Sequence, residues 1–296
     1  MAHYDALVIG AGFAGAVTAR RLAEDGGKRV LVLERRSHVG GNAYDCTDDA
    51  GVLIHQYGPH IFHTNDKRVY DYLSRFTAWT GYAHAVVANI PDGRGARLEY
   101  PVPFNLCSLE AAFGAEEGAR LGEKLIRTYG AEKKVTILEL RRSPDPEISA
   151  LADYVYGHVF LHYTMKQWGT TPEEIDPNTT ARVPVFLSRD CRYFQDRYQG
   201  MPAEGYTAIF RRMLDHPNIE VRLNTNAADL LDLRGDAILF EDAPFAGSVV
   251  YTGAADELFG CVYGRLPYRT LDFDFETLPV DSFQSHGTVN YTVDEP

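Results

Sequence analysis

The first forty residues alternate between short apolar runs and one amphipathic stretch. Tyr4 to Ile9 is a mostly apolar run of the β type, and Arg29 to Leu33 is a second one. Between them, Phe13 to Glu24 carries apolar residues at helical spacing. The pattern predicts a β-α-β unit at the start of the chain.

Three glycines, Gly10, Gly12 and Gly15, join the first predicted strand to the helix. In this G-x-G-x-x-G spacing the first glycine permits a tight turn, and the second lets backbone N–H groups approach a pyrophosphate at a helix N-terminus. Glu34, nineteen positions after Gly15, lies where an acid accepts a hydrogen bond from a ribose hydroxyl. The alternative is that the glycines only turn the chain, but the β-α-β context favours dinucleotide binding.

The stretch after Glu34 distinguishes FAD from NAD as the dinucleotide. Arg35, Gly40, Gly41 and Asn42 offer a second set of backbone and side-chain donors beyond the ribose acid. A longer dinucleotide would use these donors. The pattern therefore favours FAD.

Further along, the hydrophobic pattern changes period several times. It predicts a helix from Asp66 to Ala78 with Asn65 as its N-cap, and strands between Tyr82 and Leu106 around the turn "IPDGRG". Between Ser108 and Trp168 helical spacing dominates, with a last helix starting at the prolines of "SPDPE". The residues that carry this spacing are Leu121, Leu125 and Tyr129, then Leu151, Val155 and Val159.

The last third of the chain returns to the α/β pattern before it ends in strand-like segments. A helix is marked by Tyr206, Ile209, Phe210 and Met213, and it is followed by the strand "IEVRLN". "SVVYTGAADELFG" predicts a strand, a glycine turn and a short helix. The segments "GRLPYRTLDFDFETL" and "GTVNYTVDEP" alternate as antiparallel strands do.

Together these elements predict an α/β protein with a discontinuous layout. We expect a Rossmann-like FAD-binding domain from residues 1–80 and 204–263, and a helical insert domain at residues 107–175. An antiparallel-sheet substrate domain is expected from the remaining segments, residues 81–106, 176–203 and 264–296.

Composition narrows the possible partners. The net charge of −12 argues against binding nucleic acid through a basic surface, although a local basic pocket for a diphosphate remains possible. Four dispersed cysteines without a C-x-x-C pair favour buried or incidental thiols over a disulfide framework or a metal site. The sequence has no long apolar run and no signal peptide, so we expect a cytoplasmic protein without membrane insertion.

Several separated motifs resemble one family. "GAGFAG", "ER" and "GGN" are similar to the FAD-binding start of amine-oxidase-like flavoproteins. The motifs "GPHIFHT", "YTMKQWG", "RYFQDRYQGMPAEGY" and "VNYT" narrow the resemblance to the UDP-galactopyranose mutases, along nearly the whole chain. The resemblance implies an isomerase that interconverts UDP-galactopyranose and UDP-galactofuranose, with N5 of reduced FAD as the nucleophile at the anomeric carbon.

The resemblance also assigns residues to the FAD site. It implies that His60 and Ile61 lie at the flavin, that His63 lies near its N5 region as a catalytic residue, and that Val221 contacts the adenine through its backbone. Without the resemblance, the two histidines would more simply belong to a satisfied turn. The full predicted set of cofactor-binding residues is Gly10, Gly12, Phe13, Gly15, Glu34, Arg35, Gly41, Asn42, His60, Ile61 and Val221.

A second implied set binds the nucleotide sugar. Arg182, in a polar loop bounded by prolines, is expected to grip the diphosphate and to act in catalysis, although a loop arginine is more commonly only solvated. "YTMKQWG" by itself would indicate only a helix end with a buried aromatic. The predicted substrate-binding residues are His84, Phe160, Tyr163, Thr164, Trp168, Arg182, Tyr193, Phe194 and Asn290.

Three functions stay open at this point. The first is the mutase, which we expect to be a homodimer; the second is a redox flavoenzyme of the amine-oxidase-like class. The third is a non-catalytic form that binds FAD or a nucleotide sugar. The third is raised because the chain ends at "NYTVDEP", within a motif that the family continues, so we expect either a truncated or an inactive form.

Overall fold

The computed structural model describes residues 3–91, 96–161, 184–233, 237–268 and 270–291. The chain forms two compact units. Unit 1 consists of Met1–Tyr82 and Asp196–Thr277, and unit 2 consists of Ala83–Gln195 and Leu278–Pro296. The division into three domains remains a prediction.

The helices and strands of the described residues are numbered along the chain. The first half contains β1 (Ala6–Ile9), α1 (Phe13–Glu24), β2 (Val30–Leu33), β3 (Asp45–Thr47), β4 (Leu53–His55), β5 (Phe62–Thr64), α2 (Lys67–Leu73), β6 (Val86–Pro91), β7 (Arg97–Val102), α3 (Leu106–Phe113), α4 (Ala115–Tyr129), β8 (Lys134–Val135), α5 (Ile137–Arg141) and α6 (Pro146–Val155). The second half contains β9 (Val185–Phe186), β10 (Tyr198–Gly200), α7 (Tyr206–Leu214), β11 (Ile219–Arg222), β12 (Leu231–Asp232), β13 (Leu239–Phe240), β14 (Ala243–Pro244), β15 (Ser248–Tyr251), α8 (Ala255–Leu258) and β16 (Thr288–Tyr291).

A four-stranded parallel sheet forms the centre of unit 1, in the order β11-β2-β1-β15. Every residue of β1 and β2 is buried, because both faces of the sheet are covered. Ala6 and Val8 of β1 pack in a cluster with residues of α1 and α7. Leu7 and Ile9 pack in a second cluster that includes Phe240. The continuous apolar run of the sequence is therefore a strand buried on both sides, and the predicted β-α-β unit is confirmed.

Helix α1 lies close to this sheet because its buried face consists of small residues. Gly15, Ala16, Ala19 and Ala23 are its buried positions. A Cβ atom on Gly15 would overlap the carbonyl oxygen of Gly10. The third glycine of the motif is thus required for packing between the helix and the first strand.

Helix α2 is shorter than predicted and has a different cap. It spans Lys67–Leu73, and the Asp66 side chain accepts a hydrogen bond from the backbone N–H of Arg68 at 2.8 Å. The prediction of Asn65 as the N-cap is therefore wrong. The side chain of Asn65 instead contacts Asp196 and the backbone of Arg197. Asp66 suits the position because a carboxylate accepts from a helix N-terminus and favours its dipole.

The sheet of unit 2 has the order β16-β6-β7. Strands β6 and β7 are antiparallel, as predicted, but β16 is parallel to β6, with Asn290 opposite Ala88. The antiparallel prediction for the last segment was wrong because alternation along a strand does not specify the direction of its neighbour. The predicted strand in "GRLPYRTLDFDFETL" is also absent from the described residues 264–268 and 270–278, which are mostly exposed.

Helices α3 to α6 pack with this sheet in one hydrophobic core. Leu121 and Leu125 of α4, and Leu151 and Val155 of α6, are buried together with the sheet residue Val86. The helical spacing predicted from the sequence is confirmed at these positions. Asp145 caps α6 and Pro146 is its first residue, as the proline pair indicated.

Candidate cofactor and substrate sites

A cavity of about 1100 Å³ lies in unit 1 at the carboxyl ends of β1 and β2. This edge of a parallel sheet is where nucleotides bind in open α/β folds. The cavity is lined by many of the residues that were predicted to bind the cofactor, namely Gly10, Gly12, Phe13, Glu34, Arg35, Gly41 and Asn42.

Glycine backbone forms part of the cavity wall. Gly10 has a φ of 102° and Gly41 a φ of 57°, conformations that other residues rarely adopt. A Cβ atom on Gly41 would come 3.0 Å from the Cα atom of Gly12. The two loops therefore approach each other through bare backbone, which leaves a surface that a phosphate group can contact directly.

Glu34 is held in a fixed orientation at the end of β2. Its side chain is buried, with Oε2 accepting from the backbone N–H of Ala11 at 2.8 Å and Oε1 accepting from the N–H of Arg36 at 2.9 Å. Each carboxylate oxygen can accept a further hydrogen bond. The geometry fits an acid that receives a ribose hydroxyl, the role predicted from its spacing.

Arg36 also lines the cavity, and the sequence analysis missed it. Its Nη1 atom is buried and has no hydrogen-bond partner within the described residues, while Nη2 donates to Oδ1 of Asn42 at 3.0 Å. Its guanidinium lies 4.4 Å from the ring centre of Tyr57. Arg35, which was predicted instead, pairs with Glu257 at 3.1 Å and is exposed. The sequence feature that could have indicated Arg36 is its position as the second arginine of "ERR".

The donors and acceptors of this cavity fit a dinucleotide such as FAD. A buried guanidinium nitrogen without a partner suits a diphosphate oxygen, and Glu34 suits a ribose hydroxyl. Further lining residues come from the second predicted FAD-binding segment, residues 204–263, although none of them was predicted individually. They include Thr225, Asn226, Tyr251, Thr252 and Glu257.

Four predicted cofactor residues do not line this cavity within the described chain. Gly15 serves helix packing, as described above. The backbone N–H of His60 donates to Nδ1 of His55 at 3.0 Å. Val221 pairs with Val32 in the sheet. The cofactor contacts of His60, Ile61 and Val221 remain predictions.

His55, beside His60, has a perturbed ionisation. Burial lowers the pKa of His55 below its ordinary value, and the charge of Asp45 only partly opposes this effect. The neutral imidazole is consistent with its role as an acceptor for the His60 N–H.

His63 lies on β5 of unit 1 and pairs with a carboxylate on the neighbouring segment. Its Nδ1 atom is 2.8 Å from Oδ2 of Asp196, and β5 is antiparallel to β10. Asn65 contacts the other oxygen of the same carboxylate. The predicted catalytic histidine is therefore part of a hydrogen-bonded network.

Three predicted substrate residues lie together in unit 2. His84 is 6% exposed, and the Phe194 ring stacks beside it with 6.1 Å between the ring centres. The backbone N–H of Tyr193 donates to the carbonyl oxygen of His84 at 2.7 Å. Burial lowers the pKa of His84. Asn290 is on β16, which pairs with the strand that starts shortly after His84.

The remaining predicted substrate residues lie outside the described part of the chain. They are Tyr163, Thr164, Trp168 and Arg182, together with the side chain of Phe160. Their roles remain predictions.

Neither a metal site nor a membrane span is found in the described ranges. No group of three or more His, Cys, Asp or Glu side chains there could hold a metal ion. Over the same residues, every helix is too short or too polar to cross a bilayer.

Comparisons with known proteins agree with this architecture. The family model described as UDP-galactopyranose mutase matches residues 158–296, and that described as an NAD(P)-binding Rossmann-like domain matches residues 8–76. A solved structure of reduced UDP-galactopyranose mutase has a TM-score of 0.54 at 18% identity. It matches 87% of this chain, which spans only 57% of that structure, and it supports the Rossmann-like α/β fold.

Curated relatives show the family. A UDP-galactopyranose mutase of Mycoplasma pneumoniae is 36% identical over 290 residues, which cover 97% of this chain and 71% of the relative. A dTDP-fucopyranose mutase of Escherichia coli is 34% identical over 288 residues, which cover 96% of this chain and 72% of the relative. The chain therefore belongs to the UDP-galactopyranose mutase family of isomerases.

Proposed function

We propose that this protein interconverts UDP-galactopyranose and UDP-galactofuranose, using reduced FAD held in unit 1. The observation that carries the proposal is the glycine-walled cavity with a fixed carboxylate, Glu34, and a buried guanidinium nitrogen of Arg36 that has no partner within the described residues. The relatives' names supply the substrate class. Cytoplasmic location and a homodimer belong to the same proposal.

Within the cavity, the polar groups of this chain define how FAD would be held. Backbone N–H groups near Gly10 and Gly12 would donate to the diphosphate, and Arg36 would neutralise part of its charge. Glu34 would accept from the ribose of the adenosine half. Val221 remains our proposed backbone contact to the adenine.

The chemistry divides between cofactor and protein. When bound, reduced FAD would supply the N5 nucleophile for the anomeric carbon. Arg182 would neutralise the charge that develops on the departing UDP diphosphate. The aromatic side chains of Phe160, Tyr163 and Trp168 would anchor the nucleotide, so that binding energy remote from the sugar aligns the reacting carbon.

The cluster of His84, Tyr193 and Phe194 would contribute to the same substrate site. The neutral imidazole of His84 can donate or accept a hydrogen bond, and the ring of Phe194 offers an apolar surface. Asn290 would add a polar contact to the nucleotide sugar.

A second candidate differs in both the base and the sugar. The dTDP-fucopyranose mutase is 34% identical to this chain and the Mycoplasma pneumoniae UDP-galactopyranose mutase 36%, and the two matches cover 96% and 97% of this chain. Ring contraction of a dTDP-6-deoxyhexose is therefore the alternative function. Both candidates would use the same cavity of this chain, and they differ in the nucleotide sugar.

One experiment tests the proposal and its alternative. Purified protein loaded with FAD is incubated with UDP-galactofuranose or dTDP-fucofuranose, with and without dithionite, and the products are separated by anion exchange. We expect UDP-galactopyranose, formed only under reduction. Faster conversion of the dTDP-sugar would favour the second candidate. Oxygen consumption without isomer formation would instead indicate a redox flavoenzyme, and flavin or sugar binding without turnover would indicate a non-catalytic form.

A further inference from the structure

A chain of hydrogen bonds in unit 1 includes His63. The backbone N–H of Arg197 donates to Oδ1 of Asn65 at 2.9 Å. Nδ2 of Asn65 donates to Oδ1 of Asp196 at 2.5 Å. The second oxygen of Asp196, Oδ2, lies 2.8 Å from Nδ1 of His63. Four residues thus form one continuous line of hydrogen bonds.

The first two bond directions follow from the backbone N–H of Arg197, and the third follows from the carboxylate of Asp196. A backbone N–H can only donate, so the side-chain atom of Asn65 that faces Arg197 must be the oxygen. The amide NH₂ of Asn65 then faces Asp196 and donates to it. An ionised carboxylate only accepts, so Nδ1 of His63 must carry a proton.

The strand pairing holds this line in place. His63 on β5 is opposite Gln199 on β10. The side chain of Gln199 donates to the carbonyl oxygen of Asp196 at 3.2 Å. The backbone of Asp196 is therefore bonded to the strand that pairs with the strand of the histidine, and the Asp196 side chain is only partly exposed.

We propose that Asp196 is a positioning residue that keeps the imidazole of His63 in the Nδ1–H tautomer, and that Asn65 holds the carboxylate through its other oxygen. Asn65 would also fix the orientation of an amide placed at position 196. In the neutral ring, Nε2 is then the hydrogen-bond acceptor. A ligand group that contacts Nε2 would accordingly be a donor, such as a sugar hydroxyl or a ring N–H. Only this identification of the ligand rests on the proposed function; the tautomer does not.

A single substitution tests the polarity. In Asp196→Asn, the introduced amide must offer its oxygen to the NH₂ of Asn65, whose orientation Arg197 fixes. Its own NH₂ then faces His63, and Nδ1 must become an acceptor. We expect the substitution to move the proton of the neutral ring from Nδ1 to Nε2.

A double variant provides the matched control. In Asn65→Ala combined with Asp196→Asn, no amide fixes the orientation of the introduced side chain. Its oxygen can turn to His63, so the Nδ1–H tautomer should return. Asp196→Ala, which removes the acceptor altogether, should give a mixture of both tautomers.

The measurement is ¹⁵N NMR of histidine-labelled protein without flavin, at a pH where titration of the His63 signal shows a neutral ring. Assignment uses the signal that disappears in His63→Gln. The proposal is supported by Nδ1–H in the parent, Nε2–H in Asp196→Asn and recovery in the double variant. The same tautomer in all three proteins would overturn it. If Asp196→Asn does not fold, a parent-like tautomer in Asp196→Ala would also overturn it.

Turnover of the flavin-loaded protein separates this inference from the proposed function. A parent protein that isomerises no sugar contradicts the function and leaves the tautomer result standing. In an active enzyme, Asp196→Asn should lower kcat/KM about tenfold, because a ligand donor would meet an N–H. The double variant should regain most of that loss. A tautomer change without any change in kcat/KM would overturn the role of Asp196 as a positioning residue.

Discussion

The two candidate sites are built in opposite ways. The cofactor cavity of unit 1 is made largely from backbone, with Gly10, Gly12 and Gly41 in its wall and Glu34 fixed by two backbone N–H groups. The cluster in unit 2 is made from side chains, and it brings His84 to residues more than a hundred positions away, Tyr193 and Phe194. Spacing along the sequence therefore predicts the first kind of site and cannot predict the second.

The largest expected effect comes from adding a side chain at a closely packed glycine of unit 1. In Gly15→Val the new side chain would overlap the carbonyl oxygen of Gly10. Helix α1 would have to move away from β1, and this movement would disrupt the cavity wall. We expect a loss of about 3 kcal/mol in the free energy of unfolding. Flavin binding should be lost as well. Urea denaturation and flavin absorbance of the purified protein measure both.

The control for this prediction is Gly81→Ala in the same unit. A Cβ atom on Gly81 meets nothing within 4 Å, and its backbone needs no left-handed conformation. Its stability should stay within about 0.5 kcal/mol of the parent. If the two substitutions cost the same, the close packing of Gly15 is not what supports the cavity.

Next in size is the loss of the buried cation in the cavity. Arg36→Met removes the guanidinium whose Nη1 has no partner among the described residues. A hydrogen bond to a charged group contributes about 1.5–3 kcal/mol, so we expect FAD to bind about 10- to 100-fold more weakly. Arg35→Met should weaken it by less than about fivefold, because Arg35 is an exposed partner of Glu257. Quenching of flavin fluorescence measures both; equal effects would refute the assignment of Arg36.

A substitution in unit 2 should act on the sugar nucleotide and not on FAD. Phe194→Leu removes an aromatic ring beside His84. Because stacking on a base contributes about 1–3 kcal/mol, we expect KM for the sugar nucleotide to rise about tenfold. The affinity for FAD should be unchanged. Phe113→Leu is the matched control, since Phe113 packs against Tyr154 in the same unit. If Phe194→Leu also weakened FAD binding, the cofactor site and the substrate site would not be separate.

Acid should destabilise unit 2 through His84. Burial lowers the pKa of His84 below the ordinary histidine value of 6.5. Below pH 6.5 the unfolded chain therefore binds a proton at this histidine more readily than the folded protein does. Stability is thus retained above that value and lost as the pH falls towards the folded pKa, by at most about 1.4 kcal/mol per pH unit for one proton. Thermal unfolding of the parent and of His84→Asn measures this. An unchanged pH dependence in His84→Asn would contradict it.

The elements that the sequence predicted well are those decided by neighbouring residues. The strand, glycine turn and helix from Tyr4 to Glu24 follow from local spacing, and so do the buried positions of α4 and α6. The direction of β16 was wrong because its partner, β6, lies some two hundred residues earlier and the pattern of β16 fits either direction.

Two pairs of neighbouring residues show why the rest could not be predicted from the sequence. Arg35 and Arg36 are equivalent in the sequence, and only the turn after β2 decides that Arg36 is the one with a buried nitrogen at the cavity. Asn65 and Asp66 are both good helix caps, and the position of Arg197 decides between them. In the first case the conformation of a turn selects one of two similar neighbours, and in the second case a distant segment does.

The smallest expected effect tests this last choice. Asp66→Ala removes the acceptor for the Arg68 N–H at the start of α2, and we expect a loss of about 1 kcal/mol in the free energy of unfolding. Asn65→Ala should cost less, because the side chain of Asn65 does not cap the helix and its bonds are exposed. Urea denaturation of the two variants measures the difference. If Asn65→Ala proved the more costly change, the link from Arg197 to His63 would contribute more to stability than the helix cap does.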